Sequence, residues 1–274
     1  MIEPDAPWFD LKLKQIWRYR DLLLMFVKRD IVTVYKQTIL GPLWFFIQPL
    51  LTTLMFVVIF GRVAKISTDG LPHILFYMSG VVAWNYFSEC FRLTSDVFKK
   101  NEQIFGKVYF PRAVVPLSIV ISNLIKFLIQ LLLFFVFWIY FHFWQDAQIQ
   151  LQPEMWVFPW LVFLLAGLGL GFGMLISSLT TKYRDLTFLV QFGIQLAMYA
   201  TPVVYPLSTV PEEYKAFIYY NPMSPVIESF RYISLGAGTF DYGYLTYATC
   251  VTALIILFGL VVFNRVEKNF MDTV

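Results

Sequence analysis

Apolar and polar residues do not alternate along this chain; they are sorted into blocks. Five uncharged runs stand out: Leu43 to Phe60, Leu71 to Ser88, Met155 to Thr181, Leu186 to Pro211 and Tyr242 to Asn264. A sixth lies between Arg112 and Asp146 and is broken by one charge, Lys126. At a rise of about 1.5 Å per residue, each approaches or crosses a hydrocarbon layer roughly 30 Å thick. One run of this kind could be the core helix of a soluble domain. Six within 274 residues leave almost no polar surface for a water-soluble body. The pattern predicts an all-α membrane protein with six transmembrane helices, forming a single transmembrane domain over 1–274.

The polar connections predict further elements. Trp8, Leu11, Ile16, Trp17, Leu22, Leu23 and Phe26 are interleaved with charges. That predicts an N-terminal amphipathic helix over about 8–26, lying in the membrane interface; an ordinary helix facing the cytosol is the alternative. Gly41 and Pro42 open the first run, while Pro49 inside it should bend the helix. Ser95 to Gly106 contains Asp96, Lys99, Lys100, Asn101 and Glu102, suited to a short helix along the cytoplasmic membrane surface. The run after Arg112 is too long to cross without tilt, protrusion or a kink near Pro116. Gly167 and Gly171 share one face of the next helix and Gly169 and Gly173 another, a spacing that lets other helices come close. Between Pro202 and Gly243 two short apolar pieces, about 211–219 and 223–235, flank Asn221-Pro222. They predict short re-entrant external helices between spans five and six, with a plain external loop as the alternative.

Charge sets an orientation. Sixteen of the 21 Lys and Arg residues fall before the first run, in alternate connections, or after the last run. Both termini are therefore expected in the cytoplasm. The formal charge of +3 follows from that asymmetry and does not point to nucleic acid. Cys90 and Cys250 lie in or near predicted spans and read as small apolar residues. Glu3, Asp5 and Asp10 precede the basic residues, unlike the basic start and apolar core of a cleavable signal peptide.

No catalytic constellation is legible. There is no G-x-x-x-x-G-K-[ST] phosphate loop, so ATP hydrolysis would belong to another chain. His73 and His142 have no acidic or cysteine partner at ligand spacing, so no metal site is expected, and no serine sits in a nucleophile elbow. That leaves transport across the membrane or signalling through it. The 29 Phe, 16 Tyr and 8 Trp serve interface belts and core packing, and as an aggregate could line a path on which sugar rings stack. Lys126 is the sharpest single residue, an in-membrane polar group for which an ion pair or polar contact, a watery cavity, or snorkelling are open. Glu89 carries a weaker version of the same argument. Arg29 and Lys36 lie where a lipid phosphate would pass, although anchoring of topology explains both equally well.

Several segments together resemble a known family. Arg29 to Leu50 reads RDIVTVYKQTILGPLWFFIQPL, followed by Lys107-Val-Tyr-Phe-Pro-Arg112, Lys182-Tyr-Arg-Asp185, Thr201-Pro-Val-Val-Tyr-Pro206 and Asn221-Pro-Met-Ser-Pro-Val-Ile-Glu-Ser-Phe-Arg231. In this order they resemble the polysaccharide and polyol-phosphate export permeases of the ABC superfamily, over roughly residues 10 to 270. The resemblance implies the type-2 ABC exporter permease fold in a bacterial inner membrane. It implies a homodimer bound by two copies of a separate ATP-binding subunit, which would hold the ATP and Mg; this chain would need no cofactor. The implied cargo is a lipid-linked polysaccharide, O-antigen foremost, with teichoic acid, capsule or a small lipid as alternatives. About 10–26 and 96–105 would contact the ATPase, with Asp96, Lys99, Lys100 and Glu102 coupling the two. The segment 211–235 would form an external gate, with Tyr219, Tyr220 and Phe230. Arg29 and Lys36 would admit the lipid-linked substrate.

Overall fold

The computed structural model describes residues 13–36, 39–108, 110–183 and 185–270, with helices and turns and no strand among them. Residues 8–12 of the expected interfacial helix, Tyr109, Arg184 and the last four residues of the tail lie outside the described residues.

The chain opens with α1 (Leu13–Arg18) and α2 (Arg20–Lys36). A 3-10 turn over Gly41–Leu43 leads into α3 (Trp44–Phe56), which runs on as a π-helix over Val57–Val63. Gly41 has φ +48°, a conformation most side chains avoid, and Pro42 occupies the first turn, where its missing N–H costs nothing. Next come α4 (His73–Ser95), the one-turn helices α5 (Val97–Lys100) and α6 (Glu102–Phe105), and α7 (Val114–Trp144). Pro116 falls in the first turn of α7, where its missing N–H is tolerated, and the helix runs on unbroken over 31 residues, about 46 Å. The remainder is α8 (Phe158–Lys182), α9 (Leu186–Tyr199), α10 (Glu212–Tyr220), α11 (Met223–Leu235) and α12 (Tyr242–Phe270). Gly236, at φ +79°, ends α11 in the left-handed region. Asp241 Oδ1 accepts the Gly243 N–H at 2.6 Å and starts α12.

The expected six transmembrane helices with re-entrant helices between the last two are corrected, among the described residues, to four helices long and apolar enough to cross a membrane. These are Gly41–Val63, Val114–Trp144, Pro153–Thr181 and Tyr242–Val266. The second run forms α4, which has the length but carries Asn85, Glu89 and Arg92 and is far less apolar. Glu89 and Arg92 neutralise each other at 2.8 Å with 39% and 35% of their side chains exposed, while most of the helix is buried against α7, α8 and α11. The fifth run breaks at Thr201-Pro202, leaving α9 with 14 residues, about 21 Å, short of the hydrocarbon thickness. The re-entrant reading also fails for α11, which is a core helix: twelve of its thirteen residues are buried, against α4, α8 and α12.

Two apolar clusters divide the bundle. The larger joins α4 to α7, α8 and α11 around Phe76, Tyr77, Phe134, Leu164 and Phe230. The smaller gathers Phe26 of α2, Phe98 of α5, Phe105 of α6, Val114 of α7, Met174 of α8 and Phe263 of α12. Both ends of the described chain meet there, since Ile16 and Val266 pack on the same cluster. Between the clusters α8 is clasped on two sides. Side chains of α12 crowd Gly167 and Gly171, whose added Cβ would sit 2.7 Å from Thr252 and Ile255. On the other side α4 crowds Gly169, where a Cβ would lie 2.7 Å from Cys90. The two glycine faces of the sequence are two helix contacts.

Candidate substrate cavity and coupling surface

At the end where the termini meet, α2, α5, α6 and α7 line an open cavity of about 360 Å³. Arg29, Asp30, Thr33, Lys100, Asn101 and Lys126 are among its lining residues. The amphipathic sequence of α2 explains its position: Phe26 and Val27 are buried beneath it while Arg29 stays exposed. Arg29 is paired with Asp30 at 2.8 Å and lies 4.7 Å over the Phe26 ring. Lys126 donates to Asn123 Oδ1 at 3.0 Å and faces the Phe45 ring at 5.8 Å. Of the three readings open for Lys126, it has both a polar contact and a cavity, and among the described residues no carboxylate lies within ion-pair distance. Glu89 makes no ion pair with it, being bound to Arg92 at 2.8 Å, but the charges of Glu89 and Asp30 both act on Lys126. Lys36 is exposed and is not part of the cavity lining.

The segment 96–105 is two helical turns with two faces. Val97, Phe98 and Phe105 are buried in the smaller cluster, while Lys99, Lys100 and Glu102 are exposed. Asp96 differs from them: it is 5% exposed, accepts the Thr187 hydroxyl of α9 at 3.0 Å, and lies 3.7 Å from Lys100. Its neighbour Ser95 gives its carbonyl to the Thr180 hydroxyl of α8 at 2.5 Å. Asp96 therefore faces inward, tying this segment to α9.

At the opposite end Tyr219 stacks on Tyr244 with centroids 4.1 Å apart. Tyr220 is exposed, and its carbonyl accepts the Tyr247 hydroxyl at 2.8 Å. With Asp241 these tyrosines line a groove of about 480 Å³. Phe230 is not with them; it is fully buried between Phe134 and Phe158. An ion pair that sequence reasoning missed lies beside it. Arg231, 1% exposed, donates to Glu228 at 2.6 Å and to the Pro202 carbonyl at 2.8 Å, with the Phe76 ring 4.0 Å away. The i, i+3 spacing of two opposite charges within an apolar helix was the available signal. Among the described residues no His, Cys, Asp or Glu cluster could hold a metal ion.

A bundle of long apolar helices around a less apolar central helix, with charge at its connections, defines a multi-pass membrane protein. The chain belongs to the ABC-2 type transporter family, whose pattern matches residues 21–235. It is 29% identical over 268 residues to the O-antigen export system permease protein RfbA of Klebsiella pneumoniae, covering 96% of this chain and 98% of that protein. It is 26% identical over 264 residues to the Myxococcus xanthus protein of the same name, covering 96% and 98%. The polysialic acid transport protein KpsM of Escherichia coli is 22% identical over 259 residues, covering 89% and 93%.

Proposed function

We propose that this chain is the membrane subunit of an ATP-driven exporter moving a lipid-linked polysaccharide, O-antigen foremost, out of the cytoplasm across a bacterial inner membrane. The observation that carries the reading is the end-to-end match to permeases named for O-antigen export, covering 96% of this chain. Two copies of the chain would enclose the path and two copies of a separate ATP-binding subunit, holding ATP and Mg, would drive it. The end where both termini meet is assigned to the cytoplasm, in keeping with the sixteen basic residues that flank and connect the apolar runs there. The exposed side of 96–105, with Lys99, Lys100 and Glu102, suits a docking face for the ATP-binding subunit. Asp96 would pass its displacement to α9. Arg29, at the mouth of the cavity, would admit the lipid-linked head group; Lys36 lies farther out on α2. The tyrosine groove with Tyr219 and Tyr220 is assigned to the exit side.

Deleting the chain should leave a lipid-linked glycan accumulating inside the cell, detectable by extraction and mass spectrometry of the lipid carrier; if none accumulates, the reading fails. Capsule export is the second reading, favoured by the likeness to a polysialic acid transport protein. The sugar composition of the accumulated glycan decides between them.

A further inference from the structure

We infer that the groove between α10 and the start of α12 is a binding site for the ammonium head group of a zwitterionic phospholipid, held by the Asp241 carboxylate and the surrounding tyrosine rings. The groove has a volume of about 480 Å³ and is lined by Tyr219 and Tyr220 of α10 and by Asp241, Tyr244 and Tyr247 around the start of α12. Its depth follows from the sequence. The apolar crossing segment Tyr242–Val266 begins directly after Asp241, so the groove opens where a crossing helix meets the lipid head groups. Tyrosines are common at that level as an aromatic belt, which explains any one of these four. A belt does not explain four of them converging on a carboxylate.

The electrostatics of the groove select a cation. Asp241 is the one charged residue among its described lining residues. A helix N-terminus ordinarily attracts anions, but the first N–H groups of α12 are spent. Asp241 Oδ1 accepts both the Gly243 N–H at 2.6 Å and the Tyr244 N–H at 3.3 Å. Asp241 is exposed, and its Oδ2 is left for a ligand. The opposite wall is the last turn of α10, which brings the negative end of that helix to the groove. Just outside, Lys215 is held by Glu212 at 2.5 Å and Glu213 is exposed, so the surroundings add no free positive charge from α10. Tyr219 and Tyr244 stack with centroids 4.1 Å apart and planes 7° apart, which covers one face of each ring and leaves the other. An ammonium over an aromatic face is attracted by the ring quadrupole, and a carboxylate beside it adds a charge-assisted hydrogen bond. A neutral sugar could stack on the same rings, but it carries no charge to match that carboxylate. Such a site would tie the outer end of α12 to the surrounding membrane, whatever the cargo.

Native mass spectrometry of the full-length permease, released from nanodiscs of mixed phosphatidylethanolamine and phosphatidylglycerol, tests the site. Phosphatidylethanolamine should be retained about fivefold or more over phosphatidylglycerol, relative to their shares of the bilayer. Asp241→Asn should bring that ratio close to parity. It should leave the thermal unfolding temperature unchanged, because asparagine caps a helix as well as aspartate does. Tyr244→Leu should lower the ratio by a smaller factor. Equal retention of the two lipids, or a preference that persists in Asp241→Asn, overturns the assignment. Maltohexaose serves as the glycan probe. Adducts that form with it and vanish in Tyr244→Leu, while lipid retention ignores Asp241, would make the groove a sugar subsite and overturn the assignment as well. None of these outcomes bears on glycan accumulation in cells lacking the chain, so the exporter reading stands or falls separately.

Discussion

At the residue scale the charges inside this bundle differ in how they are compensated. Arg231 and Glu228 are both almost fully buried and bonded to each other, Arg231 also to the Pro202 carbonyl and Glu228 to the Thr239 N–H at 3.2 Å, while Arg231 Nε has no partner among the described residues. Removing one partner leaves a buried charge unpaired, a loss of about 3–5 kcal/mol. Glu228→Ala should therefore lower the thermal unfolding temperature of the purified permease markedly, whereas the exposed Glu102→Ala should leave it unchanged. A Glu228→Ala protein that melts like the parent would remove the pair as a structural tie. Lys126 is the contrasting case, with no carboxylate within ion-pair distance among the described residues and a cavity in front of it. The sequence singled out Lys126 because a lone lysine in a long apolar run is conspicuous. It passed over Arg231, because a charge in a short connecting segment resembles a surface residue until its burial is known.

At the element scale the fold depends on close helix approaches that glycines permit and on hydrogen bonds that join helices distant in sequence. A Cβ at Gly169 would lie 2.8 Å from the Phe87 carbonyl as well as 2.7 Å from Cys90, so α4 would have to move. Gly169→Ala and Gly171→Ala should each cost about 1–3 kcal/mol by overpacking, seen as reduced yield of folded protein and earlier thermal unfolding. The link between α5 and α9 is weaker and more consequential for motion. The only buried residue of α9 is Ile194, so the Asp96–Thr187 bond is one of few ties holding the start of that helix. Thr187→Val should cost about 1 kcal/mol locally and raise hydrogen exchange at the start of α9 without changing exchange in α4. Equal protection of α9 in both proteins would show that the bond does not restrain it. The run of polar and charged residues made the 96–105 segment legible as a surface helix. It could not show that Asp96 faces inward, because a two-turn piece presents too few residues to define its buried side.

At the scale of the whole molecule the chain leaves broad apolar surfaces uncovered. Phe188, Leu189, Phe192 and Leu196 of α9, and Leu51, Leu54 and Met55 of α3, are each at least 41% exposed. Lipid covers part of this area, and the proposed homodimer would cover the rest. With Cys250 replaced by serine, Phe192→Cys should form a disulfide-linked dimer in native membranes under mild oxidation, while Phe263→Cys, fully buried in the core, should not. Cross-linking of neither residue would place the dimer contact elsewhere than α9.

The class of this protein was decided along the chain itself, because twenty-odd consecutive apolar residues are intolerable in water and form helices in lipid whatever their neighbours. The order of the family segments was equally local. What needed the third dimension was every property that depends on which helix lies beside which. The α4 segment reads as one more crossing run until its place between α7, α8 and α11 and its Glu89–Arg92 pair are seen. The α11 segment reads as an external piece until its neighbours bury it. Arg29, Lys100 and Lys126, up to 97 positions apart, line one cavity only because α2 and α5 pack against the start of α7. Hydropathy measures each residue's preference for lipid or water, and it carries no information about the protein partner that can replace either.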